Sequence, residues 1–148
     1  MMTKSTKLDL VRRFIALGPE QAEEVDELVT PDFKIIPYWY APQPWPGVTS
    51  DLDDLAFFKK NLKAAANHFS DEKIEYQELF EAGEEWIVAV FTSKSKFRLK
   101  TDTINYNICL FQIREGKISS ILRQWDRLGF FQQIGILPSQ AELRQKLS

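Results

Sequence analysis

The sequence is poor in the residues that most often announce chemistry. Among 148 residues there is one cysteine, Cys109, and one histidine, His68. A single thiol excludes an internal disulfide and any zinc site that needs several thiolates. With one histidine and one cysteine, only scattered carboxylates remain, so neither a metal nor a cofactor is expected. An excess of one charge is missing too. The 19 basic and 21 acidic residues leave a net charge of −2, which offers no field to draw in nucleic acid or anionic lipid. Long apolar runs are also absent: no stretch reaches the 18 or so residues of a membrane span. The N-terminus, MMTKSTKLDLVRR, lacks the apolar segment of a signal peptide. These absences predict a cytoplasmic protein with no membrane or nucleic-acid partner.

Aromatic side chains, by contrast, are abundant. Eleven Phe, 4 Trp and 4 Tyr fall in a chain sized for one domain, residues 1–148. So many rings imply a core packed around bulky groups or an aromatic-lined cavity. The apolar spacing of Leu8, Val11, Phe14 and Ile15 predicts a helix over 5–17, ended by Gly18. Pro19 with Glu20, Glu23 and Glu24 suits the start of a second helix, stopped at Thr30-Pro31. Residues 32–36 read as a short strand. IPYWYAPQPWPG follows, and its prolines forbid a regular helix or central strand. It is either a loop presenting Tyr38, Tyr40 and Trp45 to a ligand or a lid over the core edge. Ser50 with Asp53 fits a capping box, and a stripe including Phe58 predicts a third helix to about 69.

From Lys73 onward the period changes to strands. KIEYQELFE and WIVAVFTSKSKFRL are separated by a turn at 82–84. The second run puts Lys94, Lys96, Arg98 and Lys100 on one face, which reads as a solvated, charge-protected edge. Residues 103–113 and 117–126 form a hairpin turning at Glu115-Gly116. Ser139 and Glu142 cap a short tail helix over 139–147. Helices first and strands after predict an α+β fold, a cone-shaped curved antiparallel sheet packed on three N-terminal helices.

A regular two-residue turn at 115–116 pairs 109 with 122, 107 with 124 and 105 with 126. In that register Asn105, Asn107, Cys109 and Phe111 share a face with Leu122, Gln124 and Asp126. The other face carries Tyr106, Ile108, Leu110, Ile121, Arg123 and Trp125. If Asp126 faces the interior, three amides accompany it, and buried amides need partners. Two uses of Asp126 stand side by side. It exchanges a proton with a ligand oriented by the amides, near Phe130, or it caps the turn LGFFQQ. His68 pairs with Asp126 as a proton shuttle or ends a helix. Cys109 reads as a small core filler, with no base beside it. The second face is also apolar and must be covered. A second copy of the chain is the simplest cover, giving a homodimer through Tyr106, Ile108, Leu110 and Trp125.

Gly116-Lys117-Ile118, then Asp126, then Leu128-Gly129-Phe130-Phe131-Gln132-Gln133-Ile134-Gly135 resembles the closing motif of SnoaL-like proteins. These are polyketide cyclases of the nuclear transport factor 2-like (NTF2-like) superfamily, which also holds ketosteroid isomerases and limonene epoxide hydrolases. Helix count, the Pro31-Asp32-Phe33 segment and strand order agree with it over about residues 5–135. The resemblance implies a cone with a pocket, a homodimer, and Asp126 at the position of the family's general acid/base. The chain departs from the family at Ser120, Ile121 and Leu122, where polar or aromatic residues are frequent. IPYWYAP carries no acid, which disfavours steroid isomerisation, and no Asp-Arg-Asp hydrolase set can be assembled. Two functions remain: cofactor-free isomerisation or cyclisation of a small, mostly apolar molecule by Asp126, or a non-catalytic ligand-binding or dimerisation module.

Overall fold

A computed structural model of the chain describes residues 4–37 and 53–148. Helix α1 (Lys4–Ile15) carries Arg12 and Arg13 in its last turn, where positive charge suits the helix dipole. A 3₁₀ turn at Pro19–Glu24 follows, its entry fixed by the Gln21 side chain accepting from the Gly18 amide at 3.0 Å. The short helix α2 (Val25–Leu28) leads directly into strand β1 (Val29–Pro37). The expected Ser50 cap and the rings of Tyr38, Tyr40 and Trp45 lie outside the described residues. After the two-residue strand β2 (Asp53–Asp54), helix α3 covers Leu55–Ala65. Asp54 caps it by accepting from the Phe57 amide at 2.8 Å.

The rest is sheet: β3 (Phe69–Ala82), β4 (Trp86–Phe97), β5 (Thr101–Arg114) and β6 (Lys117–Trp125). Helices α4 (Arg127–Gln133) and α5 (Gln140–Leu147) close the chain. Ser139 caps α5 through the Glu142 amide, as the capping-box spacing predicts. The strand order is β2-β1-β6-β5-β4-β3. The α+β class and the cone hold. One junction differs from the expected antiparallel sheet: β1 runs parallel to β6, so the sheet is mixed. Among the described residues no helix is long and apolar enough to cross a membrane.

The core lies between α1, α2 and the inner face of the sheet. It joins Val11, Phe14, Val25 and Leu28 to Phe33, Ile87, Phe111 and Ile118. Phe14 sits against Phe33, Phe58 and Phe111 with ring centroids 5.1 to 5.8 Å apart, so one ring staples α1 to β1, α3 and β5. On the surface, Lys59 of α3 bridges Glu23 and Asp26 at 2.7 and 2.8 Å. Exposed pairs of this kind orient α3 more than they stabilise it.

The hairpin β5–β6 turns at Glu115 and Gly116 as predicted, both with positive φ (52° and 76°), the geometry a two-residue hairpin requires. Arg114 pairs with Lys117 and Ile113 with Ile118, but Gln112 then pairs with Ser120. Ser119 is an extra residue in β6. It is buried, and its hydroxyl bonds the Gln112 carbonyl at 3.3 Å. Such a bulge moves every later side chain to the opposite face. Cys109 therefore faces Arg123, not residue 122, and Asn107 faces Trp125.

Candidate functional site

Rows of side chains can be followed across the inner face by register. The deepest, Ile35–Ile121–Phe111–Ile87, is apolar and buried. Next come Arg123–Cys109–Ala89, then Trp125–Asn107–Phe91–Tyr76, then Asn105–Ser93–Ile74. Thr103–Ser95 lies beyond, with the two hydroxyls 3.2 Å apart. Polar groups thus appear in order along the strands, starting from a dry end. Phe14 of α1 and Phe58, Leu62 and Ala65 of α3 stand across from this wall. Between them lies a cavity of about 460 Å³, closed on one side by Phe130 of α4. That volume suits a small organic molecule.

The polar wall holds two hydrogen-bonded runs. Arg123 donates to the Asn107 Oδ1 at 3.3 Å, with its guanidinium 5.6 Å from the Trp125 ring centre. Asn107 in turn donates to the Asn105 carbonyl at 3.3 Å. Ser93, opposite Asn105, donates to the Glu72 carboxylate at 3.0 Å. Glu72 reaches that position from a bulge between Ser70 and Lys73, where Asp71 adopts φ 55°. The Asn105 Oδ1 is buried and has no hydrogen-bond partner. Cys109 lies in the wall as well. Burial pushes its thiol up to about 11, against the pull of Arg123, so at neutral pH it is a protonated filler and a poor nucleophile.

Of the residues expected to bind substrate, Phe58, Asn105, Asn107, Phe111 and Phe130 line this cavity. Leu122, Gln124 and Asp126 do not. The Ser119 bulge carries them to the outer face, and Trp125, expected there, turns inward with Ile121 and Arg123. Asp126 borders a second, outer groove of about 660 Å³ with Tyr106, Ile108, Gln124 and Leu128, which shares Phe91, Asn107 and Trp125 with the cavity. Its carboxylate is engaged as the cap of α4, accepting from the Gly129 amide at 2.8 Å, and its own amide donates to the Tyr106 carbonyl. A β-carbon at residue 129 would overlap that carboxylate, so glycine leaves room for the cap. His68 is exposed, stacked on Phe97 at 6.2 Å, and does not line the cavity.

Sequence reasoning missed Arg123, Glu72 and Ser93. One signal for the first was present in ISSIL: the apolar pair Ile118 and Ile121 is three residues apart, which breaks the period of two and marks a bulge. Nothing comparable marks Glu72, whose placement depends on the irregular entry to β3.

The sequence matches no family model, and no curated protein sequence matches it. Solved structures do. TsrD from Streptomyces laurentii superposes with a TM-score of 0.70 at 18% identity, covering 93% of this chain and 100% of that one. A protein of Jannaschia described as a SnoaL-like polyketide cyclase gives 0.69 at 12% identity, with 91% and 95% covered. An NTF2-like protein of Burkholderia xenovorans gives 0.63 at 18% identity, with 90% and 98% covered. At these identities the likeness establishes the shared fold.

Proposed function

We propose that this chain, an α+β cone of the NTF2-like fold, is a single-domain cytoplasmic protein that binds a small, mostly apolar molecule inside the cone. The observation that carries this reading is the cavity of about 460 Å³, aromatic on the helix side and polar along one strand wall. A side-chain-filled core would have neither the volume nor the buried, unpartnered Asn105 oxygen. Ala65 lines the cavity from α3, so Ala65→Trp should fill it. N-phenylnaphthylamine fluorescence should rise with the wild type at one probe per chain and stay flat with the variant at unchanged melting temperature. Equal responses would contradict the reading.

Cofactor-free proton transfer in the same cavity is a second reading, favoured by one observation. The Glu72 carboxylate, at the exposed end of the strand wall and accepting from Ser93, and the Arg123 guanidinium, donating to Asn107, line one cavity with charges of opposite sign. A base and a cation on one wall suit removal of a proton next to a carbonyl, with Arg123 holding the enolate oxygen. The acid/base role expected of Asp126 moves to Glu72 in this reading, because Asp126 is on the other face. Methyl-proton exchange of an acetylnaphthalene in D2O, followed by NMR, should be accelerated by the wild type and not by Glu72→Gln. Equal rates with and without protein would leave binding as the function.

We further propose a homodimer through the outer face. One row across five strands reads Ile36–Leu122–Leu110–Val88–Phe80, entirely apolar. Beside it Tyr106 and Ile108 are 56% and 50% exposed. Such a patch asks for cover. Leu122 takes the place that Trp125 held in the expected interface. Light scattering should give twice the 17.2 kDa chain mass, and Ile108→Lys should give the single-chain mass.

A further inference from the structure

The geometry points to a ligand of definite polarity: a neutral, flat molecule that donates a hydrogen bond to Asn105 at one end and offers an acceptor oxygen to Arg123 at the other. This rests on the binding reading above and specifies its ligand.

At the Asn105 end the cavity wall carries acceptor oxygens. The Asn105 Oδ1 is buried without a partner, a condition that proteins avoid unless something else fills it. Ser93 lies directly opposite in the register, and its only proton is committed to Glu72. The Ser93 oxygen can therefore only accept, and the Glu72 oxygen it meets accepts as well. A hydroxyl or N–H of the ligand is what this end lacks. An ether or ketone oxygen placed against the Asn105 Oδ1 would meet lone pairs.

The other end has the opposite character. A guanidinium carries five N–H donors and no acceptor. Arg123 is held by Asn107, one row of the sheet from Asn105, so the two ends are roughly 7 Å apart, two residues of strand rise. A carbonyl oxygen fits there. Among the described residues the two formal charges on the wall, Glu72 and Arg123, are of opposite sign, which favours a neutral molecule over an acid or an amine. Between the ends, Phe91 of the strand wall and Phe14 and Phe58 of the helices offer ring faces and edges, which suit a flat apolar body. Asn105 and Arg123 are thus specificity-determining residues that orient the ligand along the strands.

Calorimetric titration of the full chain with three probes tests this: a naphthol with an acetyl group on its far ring, the methyl ether of that compound, and the acetylnaphthalene lacking the hydroxyl. The naphthol should bind about tenfold more tightly than either of the others, the scale of one buried hydrogen bond. Asn105→Leu should abolish that preference. Equal affinity of the wild type for all three would overturn the inference and leave the cavity reading in place. Failure of all three to bind would overturn both. The wild-type comparison needs no variant, so a poorly folding Asn105→Leu does not blunt the test.

Discussion

Strand β5 serves two environments with alternate residues. Inward it presents Asn105, Asn107, Cys109 and Phe111 to the cavity; outward it presents Tyr106, Ile108 and Leu110 to solvent. The inner set grades from apolar to polar along the strand and ends in a buried acceptor without a partner. The outer set is apolar at the same depth and bordered by the polar pair Ser120–Gln112. A face that grades in polarity suits a small molecule with distinct ends. A face that stays apolar and broad suits another protein surface. The difference between them on β6 depends on a single inserted residue, Ser119.

The largest expected effect comes from a truncation on each face of the same strand. Phe111 is 1% exposed and central to the core, so Phe111→Ala should cost about 3–5 kcal/mol in urea unfolding. Leu110→Ala, on the half-buried outer face, should cost clearly less in dilute protein. Similar values would mean that the two faces are not distinct.

Asp126 gives a smaller and more telling contrast. As a helix cap, Asp126→Ala should lower stability by about 1 kcal/mol and leave N-phenylnaphthylamine binding unchanged. Gly129→Ala should cost a similar amount by displacing the same carboxylate, and the double variant should cost little more than either alone. Loss of probe binding in Asp126→Ala would return the acid to the cavity.

How far the sequence could be read depended on whether local patterns stayed regular. The Ser139 cap, the Glu115-Gly116 turn and the helix–strand order follow local rules that the fold keeps. Phe58, Asn105, Asn107 and Phe111 were legible as cavity residues because β5 alternates without interruption up to Gln112. Leu122, Gln124 and Asp126 were misplaced because register is a long-range property, and one bulge inverts everything beyond it. Glu72 was illegible for the same reason at the start of β3. The parallel pairing of β1 with β6 could not be seen either, since strands far apart in sequence carry no local mark of their partner.

The smallest effect concerns two ion-paired carboxylates at the surface. Hydrogen bonds from Arg114 and Thr30 hold Asp32 at about 2 against an ordinary 3.8, and Lys59 and Lys63 hold Glu23 at about 2 against 4.5. A carboxylate whose folded-state pKa is depressed stabilises the fold above its unfolded pKa and loses that contribution as pH falls through the folded value. The melting temperature should therefore fall modestly between about pH 4.5 and pH 2, and the fall should be shallower in Asp32→Asn. An identical slope in the variant would show that the pair with Arg114 contributes nothing in solution.

The contrast between the faces is tested most directly by where a bound molecule sits. Intermolecular NOEs from N-phenylnaphthylamine bound to the full chain should run to Phe14, Phe58, Ile35 and Cys109, all on the inner cavity. NOEs to Tyr106, Ile108 and Leu128, around the groove that Asp126 borders, would contradict the account.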